Sequence, residues 1–317
     1  MLYGKPLVLF RDDLGRPGVL VDRCPHRNVP LSLGRLESGR LQCAYHGWEF
    51  DTQGRCLRVP GLCTEAEERA RNAISHAAVE EDGFVWVWGE PDVTPDVGPP
   101  SFGMGDIQGY DNIRQRVVFD ATVHATVENA LDVPHTAFLH RGLFRGGRDP
   151  IEIKAIVTRS PSSVQVEFVG EPRPPGLVAR ILSPSGGVVT HFDRFLMPSV
   201  AQVEYRLGDE NHLRITGYCT PIDATRTAVF SSVDFKLRIP HWLVRPFVVP
   251  IAMRVFAQDA WVLKAQSENV DRFGGEQFAS TAIDLIGAQV WRLMRRAEQG
   301  RFPEPKPDWC REVPLQV

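Results

Sequence analysis

The sequence predicts an α+β protein in two parts: an all-β first domain over 1–92, then, over 93–317, an antiparallel sheet flanked by helices. Three observations lead there. Residues 5–90 carry short β-branched or aromatic runs punctuated by Gly, Asp and Pro. Residues 91–100 hold four prolines and no apolar period, the composition of a linker. Residues 151–235 alternate apolar and polar side chains with period two, as in a sheet with one wet face, and 241–298 then change to a helical pattern.

Taken in order, 7–10, 19–21 and 84–88 read as strands. Gly15-Arg16-Pro17-Gly18 turns between the first two, and Asp51-Thr52-Gln53-Gly54 supplies a further turn. The charged, Ala-rich stretch 64–71 reads as a solvated loop or a short exposed helix. After the linker come a strand at 117–119 and a helix over 121–139 that contains Pro134. Strands follow at 153–157, 164–169, 188–195, 200–205, 213–219 and 228–235. Trp291, Leu293 and Met294 are expected to pack near the end of the last helical region.

Composition narrows the function classes. Hydrophobic content of 43% and charged content of 24% are ordinary for a globular protein, and a net charge of −3 points away from a nucleic-acid partner. No run approaches the roughly 20 apolar residues that cross a bilayer. The most apolar stretch, 239–257, is broken by Arg245, Pro246, Pro250 and Arg254. The N-terminus has no cationic start and apolar core of a signal peptide. Six cysteines in 317 residues do not make a disulfide framework, so Cys56, Cys63, Cys219 and Cys310 read as buried or incidental thiols in a reducing cytoplasm. Gly103, Gly105 and Gly109 do not form a dinucleotide fingerprint, because their last spacing is three and no strand–helix unit surrounds them.

Chemistry concentrates in two short segments. The first is Cys24-Pro25-His26, then sixteen residues, then Cys43-Ala44-Tyr45-His46. Each half pairs a soft thiolate with an imidazole, which suits a [2Fe–2S] cluster with two thiolates on one iron and two imidazoles on the other. Structural zinc also takes Cys₂His₂, but zinc fingers group their cysteines and their histidines, whereas each half here is mixed.

The second segment runs from Glu128 to His140. His135 and His140 are five apart, about 500° around an undisturbed helix, so their rings converge only if the helix bends or ends there; Pro134 supplies a reason. Two histidines and a carboxylate with open positions form the facial triad of non-heme Fe(II) oxygenases. Two unrelated core or surface histidines are the alternative. Asp132, three residues before His135, lies where it can accept the ring N–H of a metal-bound imidazole and fix its tautomer. Asn129 lies one turn further back. His76, His124, His191, His212 and His241 read as structural or exposed, although His124, eleven residues before His135, falls near the same helix face. Trp242, Phe247 and Val248 read as core packing or as lining for a substrate cavity or membrane-facing mouth.

Cys24-Pro25-His26-Arg27 and Cys43-Ala44-Tyr45-His46-Gly47-Trp48 resemble the cluster loops of Rieske proteins, and Asn129-x₂-Asp132-x₂-His135-x₄-His140 resembles the iron motif of the Rieske non-heme iron oxygenases. The chain resembles their catalytic (α) component, in its monooxygenase-like branch. The resemblance implies a helix-grip-like catalytic domain. It also implies mononuclear Fe(II) held by His135, His140 and a carboxylate from a late helix. The stretch 256–266 resembles that helix and makes Asp259 the third ligand; Glu268, nine residues on, falls about 900° away, near the opposite face.

By the same resemblance, Asp132 joins His135 to His46 of a neighbouring subunit, which implies a homotrimer with heterologous contacts. No reductase module is seen, so a separate NAD(P)H-dependent reductase, with or without a ferredoxin, would supply electrons. O₂ is the implied co-substrate, and the partner molecule is a hydrophobic, aromatic or polycyclic small substrate bound between strands 151–235 and the helix near 241–256. Hydroxylation or oxidative demethylation is implied over ring cis-dihydroxylation, because the chain is shorter than dihydroxylase large subunits. A Rieske electron carrier without catalysis is the other reading. Cys24 follows only 23 residues, earlier than the resemblance implies, so the expectation is a late start or a trimmed N-terminus.

Overall fold

The computed structural model describes residues 1–100, 109–141, 151–171, 189–207, 211–237, 241–301 and 309–316. The chain divides into two units, Met1–Phe102 and Gly103–Val317.

The first unit contains β1 (Leu7–Arg11), β2 (Pro17–Val21), β3 (Arg35–Glu37), β4 (Arg40–Gln42), β5 (Glu49–Phe50), β6 (Cys56–Arg58), β7 (Ser75–Glu81) and β8 (Phe84–Pro91). They form two antiparallel sheets, β1-β2-β7-β8 and β3-β4-β5-β6. Val8, Phe10, Leu20, Leu31, Leu41 and Phe50 make its core, and Cys24 and Cys43 are buried in the same cluster. The expected turn at 51–54 is present: Asp51 Oδ1 accepts the N–H groups of Gln53 and Arg55, both at 2.9 Å. Gly54 sits there at φ +78°, where a Cβ would stand 2.1 Å from the Ala73 carbonyl oxygen. Strands β3 to β6 escape the sequence pattern because two or three residues are too few to display a period. Residues 64–71 hold a short 3-10 turn, Arg69–Arg71.

The second unit contains β9 (Asp111–Phe119), α1 (Val123–Ala130), β10 (Glu152–Arg159), β11 (Ser163–Val169), β12 (Val189–Leu196), β13 (Val200–Leu207), β14 (Asn211–Pro221), β15 (Thr227–Lys236), α2 (His241–Arg272), α3 (Gly287–Glu298) and β16 (Trp309–Gln316). The strands make one antiparallel sheet in the order β16-β10-β11-β12-β13-β14-β15-β9. Alternation puts Val157, Val166, Phe195, Cys219 and Val229 on one face, where they pack with Val127 of α1, Leu263 of α2 and Val290 and Leu293 of α3. The expected α+β architecture, an all-β unit before a sheet flanked by helices, is observed.

Several element boundaries are corrected. The helix expected over 121–139 is two pieces. Thr122 caps α1 by accepting the Ala125 N–H, and α1 ends at Ala130; a 3-10 turn, Pro134–Ala137, follows. The region 241–298 is likewise two helices, separated where Gly274 and Gly275 adopt φ of +79° and +132°. Pro246 and Pro250 lie inside α2 rather than ending it. Both prolines and Trp242 are exposed, so carbonyls that lose a helical partner can turn to water. Strand β9 starts at Asp111, and β16 has no counterpart in the sequence reading. Trp291 is exposed, whereas Leu293 is buried and Met294 packs against the core.

Among the described residues no helix is long and apolar enough to cross a membrane. Gly103, Gly105 and Val188, and the side chains of His241, Phe247 and Val248, lie outside the described residues. Trp242 is exposed rather than packed.

Candidate metal centres

Two loops in the first unit bring Cys24 beside Cys43 and His26 beside His46, and the loops share one backbone pattern. In the first, the Cys24 N–H donates to the Val29 carbonyl at 2.9 Å and the Asn28 N–H returns to the Cys24 carbonyl at 2.9 Å. In the second, the Cys43 N–H donates to the Trp48 carbonyl at 2.8 Å and the Gly47 N–H returns to the Cys43 carbonyl at 3.1 Å. The closing residue of each, Asn28 at φ 60° and Gly47 at φ 71°, is left-handed, the conformation that Gly and Asn reach at least cost.

Each loop therefore presents Cys and His at a fixed offset from its own hydrogen bonds. Both thiols are buried, at 2% and 3% exposure. The rings of His26 and His46 meet edge-on with centroids 4.5 Å apart, and Trp48 stacks on His26 at 4.8 Å.

The electrostatics suit a metal cluster. Burial pushes the Cys24 thiol up to about 11, with the adjacent Cys43 thiol adding to the rise, so thiolates at this depth call for a bound cation. Burial, Arg27 and His46 all lower the pKa of His26, which favours the neutral imidazole that ligates a metal. His26 Nδ1 is buried with no hydrogen-bond partner among the described residues, as expected of a ligand atom. The donor set fits a two-iron cluster.

The second centre lies in the second unit. His135 and His140 come from the 3-10 turn and the residues just after it, and Asp259 from α2. Their ligand atoms all lie within 4.8 Å of one another. His135 Nε2 and His140 Nε2 are 3.2 Å apart, and Asp259 Oδ1 lies 3.1 Å from His140 Nε2 and 3.7 Å from His135 Nε2. The break after Ala130 makes this convergence possible, because a continuous helix would have splayed the two rings.

Asp132 Oδ2 accepts the His135 backbone N–H at 3.0 Å and stands 3.2 Å from the same residue's Nδ1, so one carboxylate shapes the turn and orients the ring. His140 is 1% exposed and Asp259 8%. Asp259 Oδ1 has no hydrogen-bond partner among the described residues. Burial raises the pKa of Asp259, opposed by His140, His135 and a hydrogen bond from the Asn129 side chain. A buried oxygen aimed at two imidazole nitrogens fits a divalent cation of the facial-triad type.

Among the described side chains no other histidine joins either centre. His124 Nε2 lies 3.3 Å from the Gly287 carbonyl oxygen, away from the role its spacing allowed. His76 Nδ1 lies 2.8 Å from the Trp88 carbonyl oxygen. His191 is buried between Glu171 (2.6 Å) and Asp193 (3.0 Å). Glu268 is exposed. One contact has no forewarning in the sequence pattern beyond its place beside Asp259: Gln258 Oε1 lies 2.9 Å from His140 Nδ1.

Comparison with known proteins agrees in both units. The Rieske [2Fe-2S] domain model matches residues 1–67, and the vanillate O-demethylase oxygenase C-terminal domain model matches residues 119–299. Chlorophyllide a oxygenase, chloroplastic, of Arabidopsis thaliana is 31% identical over 93% of this chain and 53% of its own length. The oxygenase component of chloroacetanilide N-alkylformylase of Rhizorhabdus wittichii is 28% identical over 93% of this chain and 87% of its own. The crystal structure of dicamba monooxygenase bound to dicamba superposes with a TM-score of 0.77 at 24% identity, covering 94% of this chain and 91% of that one. The chain spans about half the length of the chlorophyllide a oxygenases it matches.

Proposed function

The chain belongs to the Rieske oxygenase family and carries its [2Fe–2S] domain, and from that premise we propose that it is an oxygenase component that hydroxylates or oxidatively demethylates a hydrophobic aromatic or polycyclic substrate. The observation that carries the reading is the meeting of His135, His140 and the buried Asp259 carboxylate. A carrier that had lost catalysis would have no reason to keep a buried carboxylate facing two imidazoles. The match to a demethylase C-terminal domain and the likeness to an N-alkylformylase component support removal of a small alkyl group or simple hydroxylation.

In this reading Cys24, His26, Cys43 and His46 hold the cluster within a domain over 1–92. His135, His140 and Asp259 hold Fe(II) within a catalytic domain over 93–317. When bound, these groups supply one-electron transfer and activation of O₂ beside the substrate. Asp132 keeps His135 in the tautomer whose Nε2 faces the metal. The burial of His140 and Asp259 keeps water from competing for the ligand atoms. Asp132 also reaches His46 of a neighbouring subunit in a homotrimer, giving electrons a short path between chains. A separate NAD(P)H-dependent reductase, with or without a ferredoxin, delivers them. The exposed thiols Cys63 and Cys310 suit a reducing compartment such as the cytoplasm.

A substrate panel incubated with the protein, a surrogate reductase, NADH and O₂, read by mass spectrometry, tests this. Gain of one oxygen, or loss of CH₂, supports it. Gain of two oxygens and two hydrogens replaces it with cis-dihydroxylation, and no turnover from protein loaded at both centres overturns it.

A further inference from the structure

We propose that Gln258 is a positioning residue for the mononuclear metal: its side-chain carbonyl fixes the Nδ1–H tautomer of His140 and so presents the Nε2 lone pair to the ion. The inference rests on the reading that His135, His140 and Asp259 hold Fe(II).

A neutral imidazole has one N–H and one lone pair, and the partner of one nitrogen decides the role of the other. His140 Nδ1 lies 2.9 Å from Gln258 Oε1, whereas its Nε2 points to Asp259 Oδ1 at 3.1 Å and His135 Nε2 at 3.2 Å. With a metal ion on Nε2 the proton belongs on Nδ1, donated to the amide oxygen. His135 has the same arrangement with a different acceptor, the Asp132 carboxylate at 3.2 Å. The two histidines are thus held by unlike partners.

The difference has an electrostatic reason. Two carboxylates, Asp259 and Asp132, stand beside the two histidines, a number that suits one divalent cation. At His140 an amide accepts the same hydrogen bond without adding charge to the buried site. Gln258 and Asp259 are consecutive on α2, about 100° apart around its axis, so one helix supplies a ligand and also the orienting group of the neighbouring ligand.

The test removes the mononuclear iron with a chelator mild enough to leave the cluster, then titrates Fe(II) into wild type, Gln258→Leu and Gln258→Glu. Affinity and the EPR spectrum of the nitric oxide adduct are read together, with cluster absorbance and circular dichroism reporting the fold. Wild type should bind one Fe(II) per chain. Gln258→Leu should bind about 10–100-fold more weakly and show an altered nitrosyl spectrum, and Gln258→Glu should recover affinity to within about 3-fold. Gln258→Asn, which keeps the amide but is one methylene too short, stands in if the leucine variant does not fold. Unchanged affinity and spectrum in Gln258→Leu overturn the proposal, as does a glutamate variant as weak as the leucine one. Failure of wild type to take up Fe(II) instead sinks the iron reading itself.

Discussion

The two candidate metal centres are built on opposite plans. In the first unit each Cys–His pair is held by hydrogen bonds within its own loop, closed by Asn28 or Gly47. In the second unit His140 and Gln258, 118 residues apart, must be brought into contact by a folded sheet and three helices. A locally closed loop carries its ligand geometry in its own sequence, whereas a site spread over distant elements inherits its geometry from packing.

That contrast can be broken most sharply at the cluster. Cys43→Ser should abolish the visible absorbance and lower iron from about three to about one per chain, leaving Fe(II) at the second centre. Loss of iron from both centres together would show that the centres are not independent. The reciprocal change, Asp259→Ala, should leave the cluster spectrum intact, lower iron to about two per chain and reduce product formation to background. Full retention of mononuclear iron would remove Asp259 from the ligand set.

The next effect concerns stability in the second unit, which should also depend on distant contacts. His191 is buried between Glu171 and Asp193 and stacked between Phe168 and Tyr205. Burial alone would lower its pKa, but the two carboxylates hold it up at about 9. Because the folded value is raised, the contribution is fully present below about 6.5 and is lost as pH rises through about 9. It amounts to about 3 kcal/mol. Wild-type Tm should therefore fall across that window. His191→Gln, which removes the imidazolium between the two carboxylates, should cost about 3–5 kcal/mol at neutral pH and flatten the profile. A variant with the wild-type profile would show that the ion triad contributes nothing.

The smallest effect compares the two cluster loops. Gly47→Ala places a Cβ at φ +71° and 3.1 Å from Pro60 Cγ, and should destabilise the first unit by about 1–2 kcal/mol in denaturant. Asn28→Gly, at a site already left-handed, should change stability by only a few tenths of a kcal/mol, about 0.5 at most. Equal effects would mean that the two loops are not closed for the same reason.

The same contrast explains what was legible in the sequence. Cys24, His26, Cys43 and His46 stand out by spacing alone, and the strands from β10 to β15 by alternation. His135 and His140 were visible as a pair, but an unbroken helix would have separated them; the break is set by the end of α1 and by Asp132 accepting the His135 N–H. Strands β3 to β6 carry too few residues for a pattern. In β9, Asp111 and Gln115 occupy the same face as Ile113 and Val117, so the alternation is masked.

The sequence by itself determined the chemistry on offer: two thiol–imidazole pairs, a His-x₄-His segment and the two-part α+β order, because these depend on residue type and short spacing. Only the tertiary structure decided that α1 ends early enough for His135 and His140 to converge, that His124 turns to Gly287, and that Gln258 faces His140. Those outcomes depend on where α2 lies against the sheet and α1, a packing of distant apolar faces that short-range spacing does not encode.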